Sequence, residues 1–201
     1  MEITTSMIKE LRDVTSAGIL DCRKALEASG GDFQEAIAYL REKGHEEAAK
    51  KSRGAASEGR IEAYVHHGSQ VGVLVELNCE TDFVARTDDF KALAHNLALH
   101  IAFAAPRYAS REQVPDAVVE EEKRIFRTQA LEQGKPEDIV DRIVEGRMDK
   151  FYEQICLLEQ PFVKNEDKTI GDLLNEATTA FGELVVVSRF ERYEVGELLA
   201  Q

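Results

Sequence analysis

The chain has 201 residues, of which 43% are hydrophobic and 31% charged, which is typical of a globular protein with one sizeable core and one small additional module. Its net charge of −13 disfavours a nucleic-acid partner and favours a protein partner. No apolar stretch approaches the roughly 18 residues of a transmembrane helix, and no signal-peptide pattern is present, so we expect no membrane partner.

Residues 1–44 carry the pattern of three short helices that form a compact bundle. The first helix has one apolar face and a threonine at position 4 or 5 as its N-cap. The second covers residues 19–28 and ends at a Ser-Gly-Gly sequence. The third begins after Asp32, its N-cap, and is predicted to end at Gly44.

A β-hairpin is predicted after residues 45–60, which lack an apolar stripe and are predicted to be a linker that is partly helical at its start. Residues 61–66 and 71–78 alternate apolar and polar side chains around a His-Gly-Ser-Gln turn, which predicts two strands with one buried face. The next helix is predicted from about Asp88, with Thr87 as N-cap, and should lie across the hairpin.

Two strongly charged helices are predicted in the second half of the chain. Residues 116–133 and 137–160 each carry a thin apolar stripe and are joined by a Gly-Lys-Pro sequence. They should therefore form an antiparallel helix hairpin, residues 116–160, that protrudes from the core. Ser110 and Gln113 form a capping-box pattern ahead of the first of them.

The C-terminal segments complete the predicted core. Residues 160–163 are predicted to be extended. Thr169 and Asp172 predict a capping box for a helix that ends near Gly182. Residues 184–193, rich in β-branched side chains, predict a third strand. Because strands and helices do not alternate as βαβ units, the fold class is α+β, a small and mostly antiparallel sheet covered by helices.

The segment between the hairpin and its covering helix, NCETDFVAR at residues 78–86, carries an aromatic side chain where a polar connection is expected. Phe83 directly follows the carboxylate of Asp82. In one interpretation, a rigid turn holds the acid and the ring outward as a contact. In the other, Phe83 packs under its own helix and Asp82 caps a turn. The residues alone slightly favour the second interpretation.

A similar choice exists at the start of the second helix. Ile19 and Leu20 follow Gly18, and two large aliphatic side chains cannot both face so small a bundle, so one of them should be exposed as a contact. The alternative, in which both belong to the core, is about equally well supported.

No residue pattern indicates a resident cofactor or a metal site. The phosphate-binding GxxxxGK[ST] pattern is missing, and the five histidines, which we expect at the surface, lack metal-ligand spacing. The three cysteines form no CxxC pair, which indicates reduced thiols in a cytoplasmic protein. Cys79 lies near Asp82, and His66 could face it across the hairpin. Cys79 nevertheless continues a buried strand, so we predict that the protein is not an enzyme.

Four segments, in the expected order and covering nearly the whole chain, resemble the signatures of bacterial elongation factor Ts, the family of guanine-nucleotide exchange factors for elongation factor Tu. They are VTSAGILDCRKAL at residues 14–26, residues 31–44, the NCETDFVAR segment, and residues 147–174. The resemblance implies that the protein promotes GDP release from elongation factor Tu during translation elongation and uses no cofactor of its own.

The resemblance further implies two domains with different tasks. Residues 1–53 are expected to form a ubiquitin-associated-like three-helix module, with its linker, that docks on the G domain of the partner. Residues 54–201 are expected to form an α+β core and dimerisation domain. The docking positions are Arg12, Ile19, Leu20 and Arg23, and many relatives have two methionines and a lysine at the last three.

The resemblance also implies that the turn acts on the magnesium site of the partner. Thr81, Asp82, Phe83 and Val84 match the family positions that dislocate the Mg²⁺ ion. Asp82 and Phe83 are expected to push between helices of the G domain near the bound nucleotide.

The chain resembles the short form of the family, because it has one copy of a hairpin-and-helix unit that longer relatives approximately duplicate. Short members form homodimers that bind two partner molecules, and we expect the same here. Two functions of other classes stay open. One is an adaptor that binds ubiquitin-like folds through residues 1–44, and the other is a hydrolase that depends on Cys79.

Overall fold

The N-terminal module is a bundle of three helices, as predicted. The computed structural model describes residues 3–15, 17–51 and 56–197, with residues 44–51 described by their backbone alone, so the predicted domain boundary at residue 53 lies outside the described residues. The bundle consists of α1 (Thr5–Thr15), α2 (Ile19–Ala28) and α3 (Phe33–Lys51). All three helices contribute buried side chains to its core: Leu11, Cys22, Ala25, Leu26, Ala36 and Leu40.

Two of these helices begin at the N-cap residues that the sequence predicts. Thr4 Oγ1 accepts a hydrogen bond from the backbone N–H three residues later at 3.3 Å, and Asp32 Oδ1 does the same at 2.9 Å. The predicted end of α3 at Gly44 is wrong, because the helix continues to Lys51. One glycine costs a helix only about 1 kcal/mol, and the sequence that follows, His-Glu-Glu-Ala-Ala-Lys-Lys, consists mostly of strong helix formers.

Residues 56–197 contain five strands and five further helices. The strands are β1 (Glu58–Val65), β2 (Val71–Cys79), β3 (Pro161–Phe162), β4 (Asn165–Thr169) and β5 (Val186–Glu194). The helices are α4 (Asp82–Ala85), α5 (Asp88–Ala104), α6 (Asp116–Glu132), α7 (Glu137–Ile155) and α8 (Ile170–Phe181). β1, β2 and β5 form an antiparallel sheet in that order, and β3 pairs with β4. The fold class is α+β, as predicted.

Helix α5 lies across the β1–β2 hairpin and begins, as predicted, with Thr87 as a cap that accepts a hydrogen bond from Phe90 N at 3.2 Å. Together with α8 and the sheet, it encloses the main core, whose largest buried members are Val75, Leu77, Phe90, Leu97, Ile101, Leu157 and Ile170.

The two faces of β1 do not follow the apolar alternation of its sequence. Tyr64 pairs with the buried Val73, so the polar side of β1 shares the face that α5 covers. On the opposite face, Ile61 and Val65 are 63% and 66% exposed. The single buried face that the pattern predicts is therefore formed by β2, and the sheet has a second, uncovered apolar face.

The charged helices form the predicted antiparallel hairpin, but it is shorter than residues 116–160. α7 ends at Ile155, and Cys156 then forms a bridge with Tyr108. The predicted cap at Ser110 is wrong as well, since its side chain makes no capping hydrogen bond and a short 3₁₀ turn follows it. Pro115 disfavours helical backbone at the residue before it, so α6 begins only after the proline.

Helix α8 packs against the N-terminal bundle. Thr169 and Asp172 form the predicted capping box, and Gly182 ends the helix with a left-handed backbone at φ +70°. α3 of the N-terminal module packs against α8. None of the helices in the described ranges is long and apolar enough to cross a membrane.

One histidine contradicts the expectation that all five lie at the surface. His100 on α5 is 1% exposed. Its Nδ1 accepts a hydrogen bond from Val163 N at 3.3 Å, so Nε2 carries the hydrogen and donates to Gln160 Oε1 at 3.1 Å. The Gln160 amide is itself oriented by donation to the carbonyl of Gln154 at 2.8 Å. Burial lowers the pKa of His100, because a charged imidazolium is poorly solvated there.

This histidine should make the fold sensitive to mild acid. Below its ordinary pKa of 6.5, the unfolded chain binds a proton at His100 that the folded chain rejects, so stability falls as the pH falls through that value. His100→Asn retains an acceptor for Val163 but does not titrate. At about pH 7.5 we expect the variant to be about 1–3 kcal/mol less stable than the wild type. Chemical denaturation at about pH 7.5 and about pH 5.5 should show a smaller acid-induced loss in the variant, and equal losses would contradict the assignment.

Candidate functional site

The turn after β2 is a one-turn helix, α4, whose inner side is anchored in the core. Thr81 precedes it with extended backbone at φ −129° and ψ 153°. Ala85 is 8% exposed, and Val84 is half-buried against the main core cluster. The backbone of α4 is therefore fixed by buried side chains at its C-terminal end.

The outer side of α4 presents the acid and the ring to solvent. Phe83 is 81% exposed, so the interpretation in which its ring packs under its own helix is wrong. The carboxylate of Asp82 forms an ion pair with Arg86, with Oδ2 and Nη2 2.8 Å apart, and its side chain is 45% exposed. Of the four predicted turn residues, the structure brings Asp82 and Phe83 to the surface and uses Thr81 and Val84 to attach them.

A glutamate that sequence reasoning missed holds the N-terminal end of α4. Glu183, two residues after the end of α8, accepts hydrogen bonds from Thr81 N at 3.0 Å and from Thr81 Oγ1 at 2.6 Å. In return, Glu80 Oε1 accepts a hydrogen bond from Leu184 N at 2.8 Å. These contacts join residues 102 and 104 positions apart in the chain, and no local pattern in the sequence indicates such a pairing.

A second exposed surface lies on the N-terminal module. Ile19 is 56% exposed and Leu20 is 70% exposed, so both side chains are at the surface where one was predicted, and the alternative in which both belong to the core is wrong. The residues that α2 contributes to the core of the module are instead Cys22, Ala25 and Leu26. Arg12 and Arg23 are also exposed, and Arg23 Nε lies 2.8 Å from Glu27 Oε1. This surface lies on α1 and α2. The buried side chains of these helices belong to a different core cluster from the one that anchors the turn.

The environment of Cys79 disfavours a nucleophile. The residue is fully buried, and its thiol donates a hydrogen bond to the carbonyl of Thr81 at 3.1 Å. Burial, and then the nearby charge of Glu183, raise the pKa of the Cys79 thiol, so the reactive thiolate is disfavoured. Across the described ranges, no three His, Cys, Asp or Glu side chains come together as metal ligands would.

Comparison with known proteins points to one family. A family model described as "Elongation factor TS" matches residues 2–197. The chain is 54% identical to elongation factor Ts of Heliobacterium modesticaldum over 99% of this chain and 93% of that protein. It is 53% identical to elongation factor Ts of Moorella thermoacetica over 99% and 98%, and 56% identical to that of Desulfitobacterium hafniense over 98% and 90%.

Proposed function

The chain belongs to the elongation factor Ts family, and from that premise we propose that it is a guanine-nucleotide exchange factor for elongation factor Tu in translation elongation. The observation that carries the proposal is the exposed ring of Phe83 beside Asp82, on a helix that is fixed at both ends. A large aromatic side chain that is 81% exposed on a rigid support is suited to insert into another protein.

The physical basis is the geometry that a GTPase needs to hold GDP. The phosphates and the Mg²⁺ ion are bound by a loop and a few side chains whose positions must be accurate. A ring and a carboxylate pushed between the supporting helices of the G domain displace those groups and weaken coordination of the ion. We assign this action to Asp82 and Phe83, with Thr81 and Val84 as their attachment. The protein then breaks no covalent bond and acts through binding alone.

An exchange factor also needs a contact that does not depend on the nucleotide. Because binding energies are reciprocal, a factor that weakens GDP binding is itself bound more weakly by the GDP-bound partner. The exposed aliphatic pair Ile19 and Leu20, together with the exposed Arg12 and Arg23, provides such a contact for the G domain. In this proposal, the N-terminal module is a ubiquitin-associated-like docking unit, and the protein acts in the cytoplasm.

The uncovered face of the three-stranded sheet supports the expected homodimer. Its exposed apolar side chains come from all three strands: Ile61, Val65, Leu74 and Tyr193. An ion pair between Glu76 and Arg189, 2.7 Å apart, lies on the same face. Exposed apolar sheet faces of this kind mark interaction sites, and a face that packs on its own copy about a twofold axis presents apolar side chains to apolar side chains. In this proposal, each chain of the dimer binds one partner molecule.

The exchange activity is tested by following the release of a fluorescent GDP from elongation factor Tu. We expect acceleration by the wild type, and an accelerated rate about tenfold lower with Asp82→Ala or Phe83→Ala, as for loss of a central interface contact. Much of the binding to nucleotide-free partner should survive in both variants.

Phe103→Ala is the matched control for this experiment, because Phe103 is 77% exposed at the far end of α5 and should not affect release. Thermal unfolding should be unchanged in Phe83→Ala, since its ring has almost no contacts to lose. A wild type that fails to accelerate release would contradict the function, and two variants with normal rates would contradict the role of the turn.

The dimer is tested by light scattering coupled to gel filtration. We expect twice the chain mass for the wild type and a shift toward the single-chain mass for Leu74→Glu, which places a charge in the centre of the apolar face. Leu131→Glu is the matched control, because Leu131 is 43% exposed on α6 and Leu74 is 48% exposed. A monomeric wild type at high concentration, or an unchanged mass for Leu74→Glu, would rule out this interface.

A further inference from the structure

We propose that Glu183 is a positioning residue for nucleotide exchange: its carboxylate fixes the orientation of α4, and thereby of Asp82 and Phe83, without touching the partner. The inference rests on the proposed function, because it concerns how the turn is held for that function.

The geometry at Thr81 is the first observation. Thr81 occupies the N-cap position of α4, where a threonine hydroxyl normally accepts a hydrogen bond from its own helix, yet it makes no such bond. Its hydroxyl donates to Glu183 Oε1 and its backbone N–H to Glu183 Oε2. Both donors are thus bound by a single carboxylate, and the direction in which α4 leaves the core is set by a residue from another segment.

The segment that carries Glu183 is itself rigid. Gly182 adopts the left-handed conformation that ends α8 and turns the chain, and the two residues after Glu183, Leu184 and Val185, are 6% and 3% exposed. The bond from Leu184 N to Glu80 Oε1 joins the two segments a second time. Each segment therefore contributes one glutamate that accepts a backbone N–H of the other, and neither can shift alone.

Such support is needed because α4 has only four residues. An isolated helix of that length is unstable, since nucleation costs more than the few hydrogen bonds return. A mobile α4 would have to become ordered on binding. The free-energy cost of that ordering would offset part of the favourable interaction between the ring and the G domain. Glu183 removes this cost before the partner arrives.

The experiment measures the maximal rate of GDP release and the factor concentration at half-maximal rate for Glu183→Ala and Glu183→Gln. Glu183→Ala should lower the maximal rate about tenfold, as for loss of charge-assisted hydrogen bonds, with a smaller change in the half-maximal concentration. Glu183→Gln should keep most of the wild-type maximal rate, because its amide oxygen still accepts a hydrogen bond from the Thr81 N–H. Glu166→Ala, which removes an exposed carboxylate from β4, is the matched control and should behave as wild type.

Two further measurements separate positioning from a general loss of structure. In a Phe83→Ala background, Glu183→Ala should cause clearly less slowing than in the wild type, because part of its effect passes through the ring. Amide hydrogen exchange at Thr81 should become at least about tenfold faster in Glu183→Ala and stay slow in Glu183→Gln. If Glu183→Ala fails to fold, Thr81→Val removes only the hydroxyl donor and should give a smaller loss of the same kind.

Normal release by Glu183→Ala, or equal slowing with and without the ring of Phe83, would overturn the inference while leaving the exchange function intact. If the wild type itself does not accelerate release, the proposed function fails. The exchange rate of the Thr81 amide then still decides whether Glu183 positions the turn, and an unchanged rate in Glu183→Ala would show that it does not.

Discussion

The turn can present an exposed aromatic ring because both of its ends are buried in one core. Cys79 at the end of β2 and Phe90 at the start of α5 are each fully buried, so the residues between them cannot move away from the sheet and the helix they connect. Ala85 anchors the middle of this segment, and the carboxylate of Glu183 holds Thr81. Burying a phenylalanine side chain typically gains about 1.5–3 kcal/mol, and Phe83 forgoes that gain within its own chain. The free energy of burying this ring can instead stabilise a complex with a partner.

The second contact surface is tied to the same framework through α8. The N-terminal module packs on α8 by way of α3, and the C-terminal end of α8 reaches the turn through Glu183 and through Phe181, whose ring centroid lies 5.9 Å from that of Phe90. The exposed surface with Ile19 and Leu20 and the outward side of α4 are therefore attached to a common helix. In the proposed function, one surface supplies affinity that is independent of the nucleotide, and the other makes binding incompatible with a well-ordered magnesium site.

Much of this fold could be predicted from the sequence because its signals are local. The helix caps at Asp32, Thr87 and Thr169 and the period-two strands each depend on a few neighbouring residues, and the structure confirms them. The structural features that the sequence did not reveal depend on contacts between residues that are far apart in the chain. The face of β1 that turns inward is set by its register with β2, the burial of His100 by Val163 and Gln160, and the attachment of the turn by Glu183. The exposure of Phe83 belongs with these, since nothing nearby in the sequence decides whether a ring at a helix start packs inward.

The central claim, that the ring of Phe83 couples binding of this protein to loss of GDP, is tested most directly by its affinity for elongation factor Tu in two states. The dissociation constants for the nucleotide-free and the GDP-bound partner are measured by titration calorimetry for the wild type and for Phe83→Ala. We expect the wild type to prefer the nucleotide-free partner strongly and the variant to show a preference about tenfold smaller. An unchanged preference in Phe83→Ala would contradict the claim.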